Sequence, residues 1–174
     1  MGITVQKTNG VLEVTLPMIL PTKKKAKSEY LFEPLFFAMD KASKKENFFL
    51  KEKVMMCIEF IYDKNNKTIP RGDHDNKEVK QVIDAIAPFV VRDDRDDYLS
   101  LCQISSEGDF NHTKVYVMPE KCFSEFFLNH LNSMKMPQKP YHKTAILRHF
   151  FVTWEKQRNI GLFTAFSSKK LDHK

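Results

Sequence analysis

The chain has 174 residues, of which 42% are hydrophobic and 29% charged, with a formal net charge of +6. That length and balance suit one globular domain with a sizeable core, and exclude a disordered or linker-dominated chain. The few scattered glycines form neither G-x-G-x-x-G nor G-x-x-x-x-G-K-[ST], so dinucleotide and P-loop chemistry are excluded.

Ile3–Lys7, Asn9-Gly10 and Val11–Leu16 predict a hairpin, because Asn-Gly between alternating apolar runs favours a tight turn with positive φ. Pro17 and Pro21 end it, and the basic run Lys23, Lys24, Lys25 and Lys27 follows. Leu31, Leu35, Met39 and Ala42 predict one face of a helix over 30–45, with Pro34 forcing a start or a kink. The apolar run over 53–62 is interrupted by Glu59 and is too short to span a bilayer, so it reads as a strand. Val79, Val82, Ile83, Ile86 and Val90 predict the buried face of a helix over 76–91, with Asp75 or Asn76 as N-cap and Pro88 weakening the last turn. Strands are expected over 98–104 and 113–118. The order is then ββαβαββ, which implies an α+β fold, a mixed sheet with helices packed on it. Residues 119–174 read as a helical C-terminal extension, with helices expected to about 134 and over 143–157. The expected organisation is therefore a core over 1–118 and an extension over 119–174 on the same domain.

Cys57, Cys102 and Cys122 are odd in number and widely spaced, which fits neither a disulfide framework nor a C-x-x-C zinc site. They point to a reducing compartment. No export segment or membrane span is expected, so the predicted location is the cytoplasm.

The charge is unevenly placed. Between Asp73 and Asp97 eight acids face four bases, a local net of −4 that leaves +10 on the remainder. A basic exterior suits a polyanion such as nucleic acid. Clustered carboxylates suit a hard divalent cation. The lysine run at 23–27 and the stretch from Met136, with eight bases against two acids, are candidate phosphate contacts.

Asp73 and Asp75 are two residues apart, so in an extended segment both side chains point one way and reach one ion. They precede a helix, whose N-terminal dipole favours negative charge. Asp93-Asp94 follows that helix. The two sets meet at one sheet edge if the flanking strands are antiparallel neighbours. Carboxylates in such a group suit Mg²⁺ and the activation of water on a phosphodiester. Lys80 is placed to neutralise a phosphate. The same residues also have plain structural readings: a capped turn for Asp73 and Asp75, and an i,i+4 pair for Lys80 and Asp84. His112, His130, His142, His149 and His173 lack H-x-x-x-H spacing, and Phe126, Phe127 and Trp154 suit a core or an interface.

Thr15-Leu-Pro17 on an early strand, then Arg71-Gly-Asp73-His-Asp75-Asn76, Lys80, Asp84-Ala-Ile86 and Asp93-Asp94 before a strand, resembles the RusA-type Holliday-junction resolvases. The resemblance spans about residues 11–118. It implies a Mg²⁺-dependent homodimeric endonuclease acting on four-way DNA junctions in recombination and repair. Asp73, Asp75 and Asp94 would bind the metal, Lys80 would assist catalysis, and Lys23, Lys24, Lys25, Lys27 and Arg71 would contact DNA. The alternative is a nucleic-acid-binding module that has kept such a fold without catalysis.

Overall fold

The computed structural model describes residues 2–22, 30–65, 77–93, 95 and 97–133. The chain divides into two compact units, Met1–Lys135 and Met136–Lys174. The second, and with it the helix expected over 143–157, lies outside the described residues. The helix after residue 119 belongs to the first unit, so that unit extends past residue 118.

The first two strands, β1 (Thr4–Thr8) and β2 (Val11–Leu16), pair antiparallel with Thr8 opposite Val11. Asn9 and Gly10 turn the corner at φ 52° and 79°. This is the geometry their sequence predicts, since a two-residue hairpin with native strand twist needs positive φ at both central positions.

Helix α1 (Phe32–Ser43) takes Pro34 in its first turn, where the missing N–H leaves no helical bond unmade. Its N-terminus is held from a distance: the Gln81 side-chain carbonyl accepts the N–H groups of Leu31 at 3.0 Å and Phe32 at 3.2 Å.

Strand β3 (Val54–Asp63) is buried along nearly its whole length, because both of its faces are covered. Val54, Met56, Ile58, Phe60 and Tyr62 join the main core with Leu35 and Met39 of α1 and with Val82, Ala85, Ile86 and Val90 of helix α2 (Lys80–Val90). Phe36 and Phe89 seal the two helices together at 5.1 Å between ring centroids. The alternate residues Met55, Cys57, Glu59 and Ile61 face the other side of the sheet.

Strands β4 (Leu99–Gly108) and β5 (His112–Pro119) complete a five-stranded sheet in the order β1-β2-β5-β3-β4. Pairing is antiparallel throughout except for β3 with β4, which run parallel from Val54 opposite Leu99 to Asp63 opposite Gly108. A one-turn 3₁₀ segment, Glu120–Cys122, leads into helix α3 (Phe123–Ser133), which packs on the face opposite α1 and α2. The mixed sheet with helices on it is thus the α+β architecture expected from the sequence. Among the described residues no helix is long and apolar enough to cross a membrane.

Candidate functional site

Helix α2 begins four residues later than its sequence suggests. Its N-cap is Val79, with no side-chain cap bond, so neither Asp75 nor Asn76 caps it. The cause is tertiary. Lys77 forms a β-bridge with Thr22, and the Glu78 N–H donates to the Pro21 carbonyl at 2.9 Å. Those contacts hold 77–78 extended and delay the first helical turn. They also set Thr22, the residue just before the lysine run, beside Lys77, two positions after Asp75 in the sequence.

Lys77 itself is 4% exposed, and its ammonium lies 5.9 Å from the Phe60 ring centroid. Burial pulls its pKa below the ordinary lysine value. Sequence reading passed it over, since nothing local distinguishes it from the solvated lysines around it.

At its far end α2 runs through Pro88 to Val90 and stops at Val91, which is extended at φ −137° and ψ 164°. Pro88 offers no N–H to the Asp84 carbonyl one turn earlier. The Val90 carbonyl accepts the Leu50 N–H at 2.8 Å, which ties the helix end to the segment before β3. The chain then doubles back. Asp84, Ala87, Pro88, Val91, Arg92 and Asp93 line a shared cleft of about 330 Å³.

Two carboxylates therefore face one space from different segments. Asp84 accepts from the Lys80 ammonium at 2.7 and 3.0 Å. Asp93 accepts from the Arg95 side chain at 2.8 Å, and its other oxygen accepts the Arg95 N–H at 3.2 Å. Both acids are about one-third exposed. The i,i+4 reading of Lys80 and Asp84 is realised in the structure, and it pairs Lys80 with an acid that lines this cleft. Beyond it, Tyr98 and Leu99 donate their N–H groups to the Arg95 carbonyl and start β4.

The route by which the acids were expected to meet needs correction. β3 and β4 are neighbours but parallel, so the end of β3 and the start of β4 lie at opposite ends of the sheet. The antiparallel condition fails because α2 is a crossover helix that returns the chain to the starting end. What carries residues after the helix toward its middle is the reversal at Val91. Asp73, Asp75, Asp94, Arg71, Lys23, Lys24, Lys25 and Lys27 lie outside the described residues. Among the described residues no three His, Cys, Asp or Glu side chains are grouped to hold a metal ion.

A second polar cluster lies under α3. Glu59 is 2% exposed and accepts from Ser106 Oγ at 2.5 Å, His130 Nε2 at 2.9 Å and the Tyr116 hydroxyl at 3.1 Å. Phe126 stacks on His130 at 5.3 Å. Burial pushes the Glu59 carboxyl up, but the hydrogen bonds and the His130 charge outweigh it and hold the group below the ordinary carboxylate value. The Tyr116 phenol is pushed well above its usual range by burial and by Glu59. Sequence reading met Glu59 only as an interruption in an apolar strand. A carboxylate amid such a run signals that partners arrive from elsewhere. Phe127, expected in a core or an interface, is 3% exposed in the folded chain.

No curated protein matched the chain significantly. Two solved structures of the periplasmic domain of Helicobacter pylori MotB are distantly similar. One is 11% identical at a TM-score of 0.41, covering 75% of this chain and 88% of that one. The other is 10% identical at 0.39, covering 77% and 99%. The model of a family of unknown function, DUF6100, matches residues 1–140, and the chain belongs to that family.

Proposed function

We propose that the chain is a metal-dependent, structure-selective DNA endonuclease, with four-way junctions as the substrate its resemblance to RusA-type resolvases implies. The observation that carries this reading is the reversal at Val91. It turns the chain that leads into Asp94 back along α2, and it lines one cleft with Asp84 and Asp93. The bridge between Thr22 and Lys77 adds support, because Thr22 directly precedes the lysine run in sequence and Lys77 follows Asp75 by two positions.

The donor chemistry fits Mg²⁺, which takes hard carboxylate oxygens and keeps several waters. Asp73, Asp75 and Asp94 would hold the ion, and when bound it supplies Lewis-acid activation for phosphodiester hydrolysis. Lys80, paired with the cleft residue Asp84, would neutralise charge on a bound phosphate. Lys23, Lys24, Lys25, Lys27 and Arg71 would hold the backbone of the duplex arms. A junction has two symmetric cut sites, so a twofold homodimer is the expected assembly.

One observation favours a second reading, a nucleic-acid-binding module without catalysis. The parallel pairing of β3 and β4 removes the sheet-edge route by which the acids would converge. Cleavage of a labelled four-way junction, beside a linear duplex of the same sequence, separates the two readings. The enzyme reading expects paired symmetric cuts that need Mg²⁺, stop with EDTA, and fall by on the order of 100-fold or more in Asp75→Asn, the scale of losing one transition-state stabilising group. Tight junction binding with no cut, unchanged by Asp75→Asn, establishes the binding module instead.

A further inference from the structure

Next to the acid-lined cleft, and sharing Val91 and Arg92 with it, lies a smaller pocket of about 210 Å³ walled by Phe49, Leu50, Lys51 and Tyr98. Its volume is below the roughly 300–1,000 Å³ of pockets for whole small molecules. It has room for one planar ring system.

The walls have the chemistry of a nucleotide site. Phe49 is a large apolar side chain left 45% exposed. Tyr98 is half-buried, and the Arg95 guanidinium lies 5.9 Å from its ring centroid. Lys51 and Arg92 are exposed, and neither makes an ion pair among the described residues. Glu52, the acid on the same wall, is 2.9 Å from the Lys121 ammonium, which neutralises it. Aromatic faces for a base, with uncommitted cations for its phosphates, are the recurring design of single-strand nucleic-acid sites. Phe49 thus stands in the open on the same pocket wall as two cations that carry no ion pair among the described residues.

We infer that the pocket between Phe49 and Tyr98 stacks one unpaired nucleobase, while Arg92 and Lys51 hold the flanking phosphates and lead the strand into the cleft at Asp84 and Asp93. This rests on the nucleic-acid partner of the preceding reading and deepens it. A junction, a bulge or a frayed end presents unstacked bases and a continuous duplex does not, so the pocket would supply selectivity for structure. Stacking is tolerant of base identity, because every base has a π-face. No sequence preference is therefore expected from this pocket.

The test uses the full chain in EDTA, so that binding is read apart from cleavage. Fluorescence anisotropy follows a labelled duplex carrying one unpaired thymidine, the same duplex with an abasic residue there, and the fully paired duplex. Wild type is expected to bind the thymidine bulge more tightly than the abasic one. Phe49→Ala is expected to abolish that difference and to lower bulge affinity about 5- to 150-fold, the range for losing one base–aromatic stack. Phe49→Trp should retain it. Phe49 is an exposed residue, so an unchanged urea midpoint in Phe49→Ala is the control for folding, and Tyr98→Leu is the second probe. Equal affinity of wild type for thymidine and abasic bulges, or Phe49→Ala binding like wild type, overturns the stacking site. If cleavage fails while base-dependent binding persists, the nuclease reading falls and the pocket stands. If no DNA is bound, both fall.

Discussion

At the scale of single residues, Glu59 shows how a charge is kept in a sheet interior. Three donors from three segments satisfy one carboxylate: Ser106 on β4, Tyr116 on β5 and His130 on α3. In Tyr116→Phe the ring stays and one donor to a charged acceptor is lost. A loss of about 1.5–3 kcal/mol is expected in urea unfolding, the range for a hydrogen bond to a charged group. The pH dependence follows from the depressed folded-state pKa of Glu59. The unfolded chain takes up the Glu59 proton at a higher pH than the folded one. The stabilisation is therefore complete above the unfolded carboxylate pKa and drains away as pH falls through the folded value. Wild type compared with Glu59→Gln, both unfolded in urea at steps from pH 7 to pH 3, should show a stability gap that narrows toward acid. A gap constant across that window would mean the carboxylate charge plays no part. The sequence could not have revealed these partners. They lie 47, 57 and 71 residues away from Glu59, and no local pattern encodes them.

At the scale of elements, local pattern and tertiary contact divide the outcome. The Asn-Gly hairpin was legible because its turn geometry is a property of two residues. The buried face of α2 was legible because Val82, Ile86 and Val90 repeat at helical spacing. Its start was not, because the bridge from Lys77 to Thr22 competes with the helix. The N-terminus of α1 likewise depends on a residue from another helix. Gln81 accepts two of the N–H groups that a helix start leaves without partners. Gln81→Ala should lower stability by about 0.5–2 kcal/mol, as the loss of an N-terminal cap does. Hydrogen exchange should quicken at the Leu31 and Phe32 amides while the hairpin amides stay protected. Equal exchange at Leu31 and Phe32 in both proteins would show that α1 is held by its packing on α2 alone.

At the scale of the molecule, the ββαβαββ order was legible but strand direction was not. An apolar strand such as β3 looks the same whether its neighbour runs with it or against it. Its one distinguishing mark, burial on both faces, is the mark of a strand covered by a crossover helix. That direction decides where charge is presented. With β4 parallel to β3, the segment between α2 and β4 returns to the starting end of β3 and brings Arg92 beside Lys51. The chain is basic overall, at +6, and these two cations carry no ion pair among the described residues. Each cation that contacts a phosphate releases counterions, so log affinity should fall linearly with log salt. Arg92→Gln removes one contact. It should weaken binding to every DNA sequence alike and make the salt slope shallower by about one unit. Titrations of a labelled junction at a series of salt concentrations in EDTA measure both quantities. A parallel shift with no change of slope would remove Arg92 from the phosphate path. The excess of basic charge would then serve solubility and long-range attraction rather than a bound backbone.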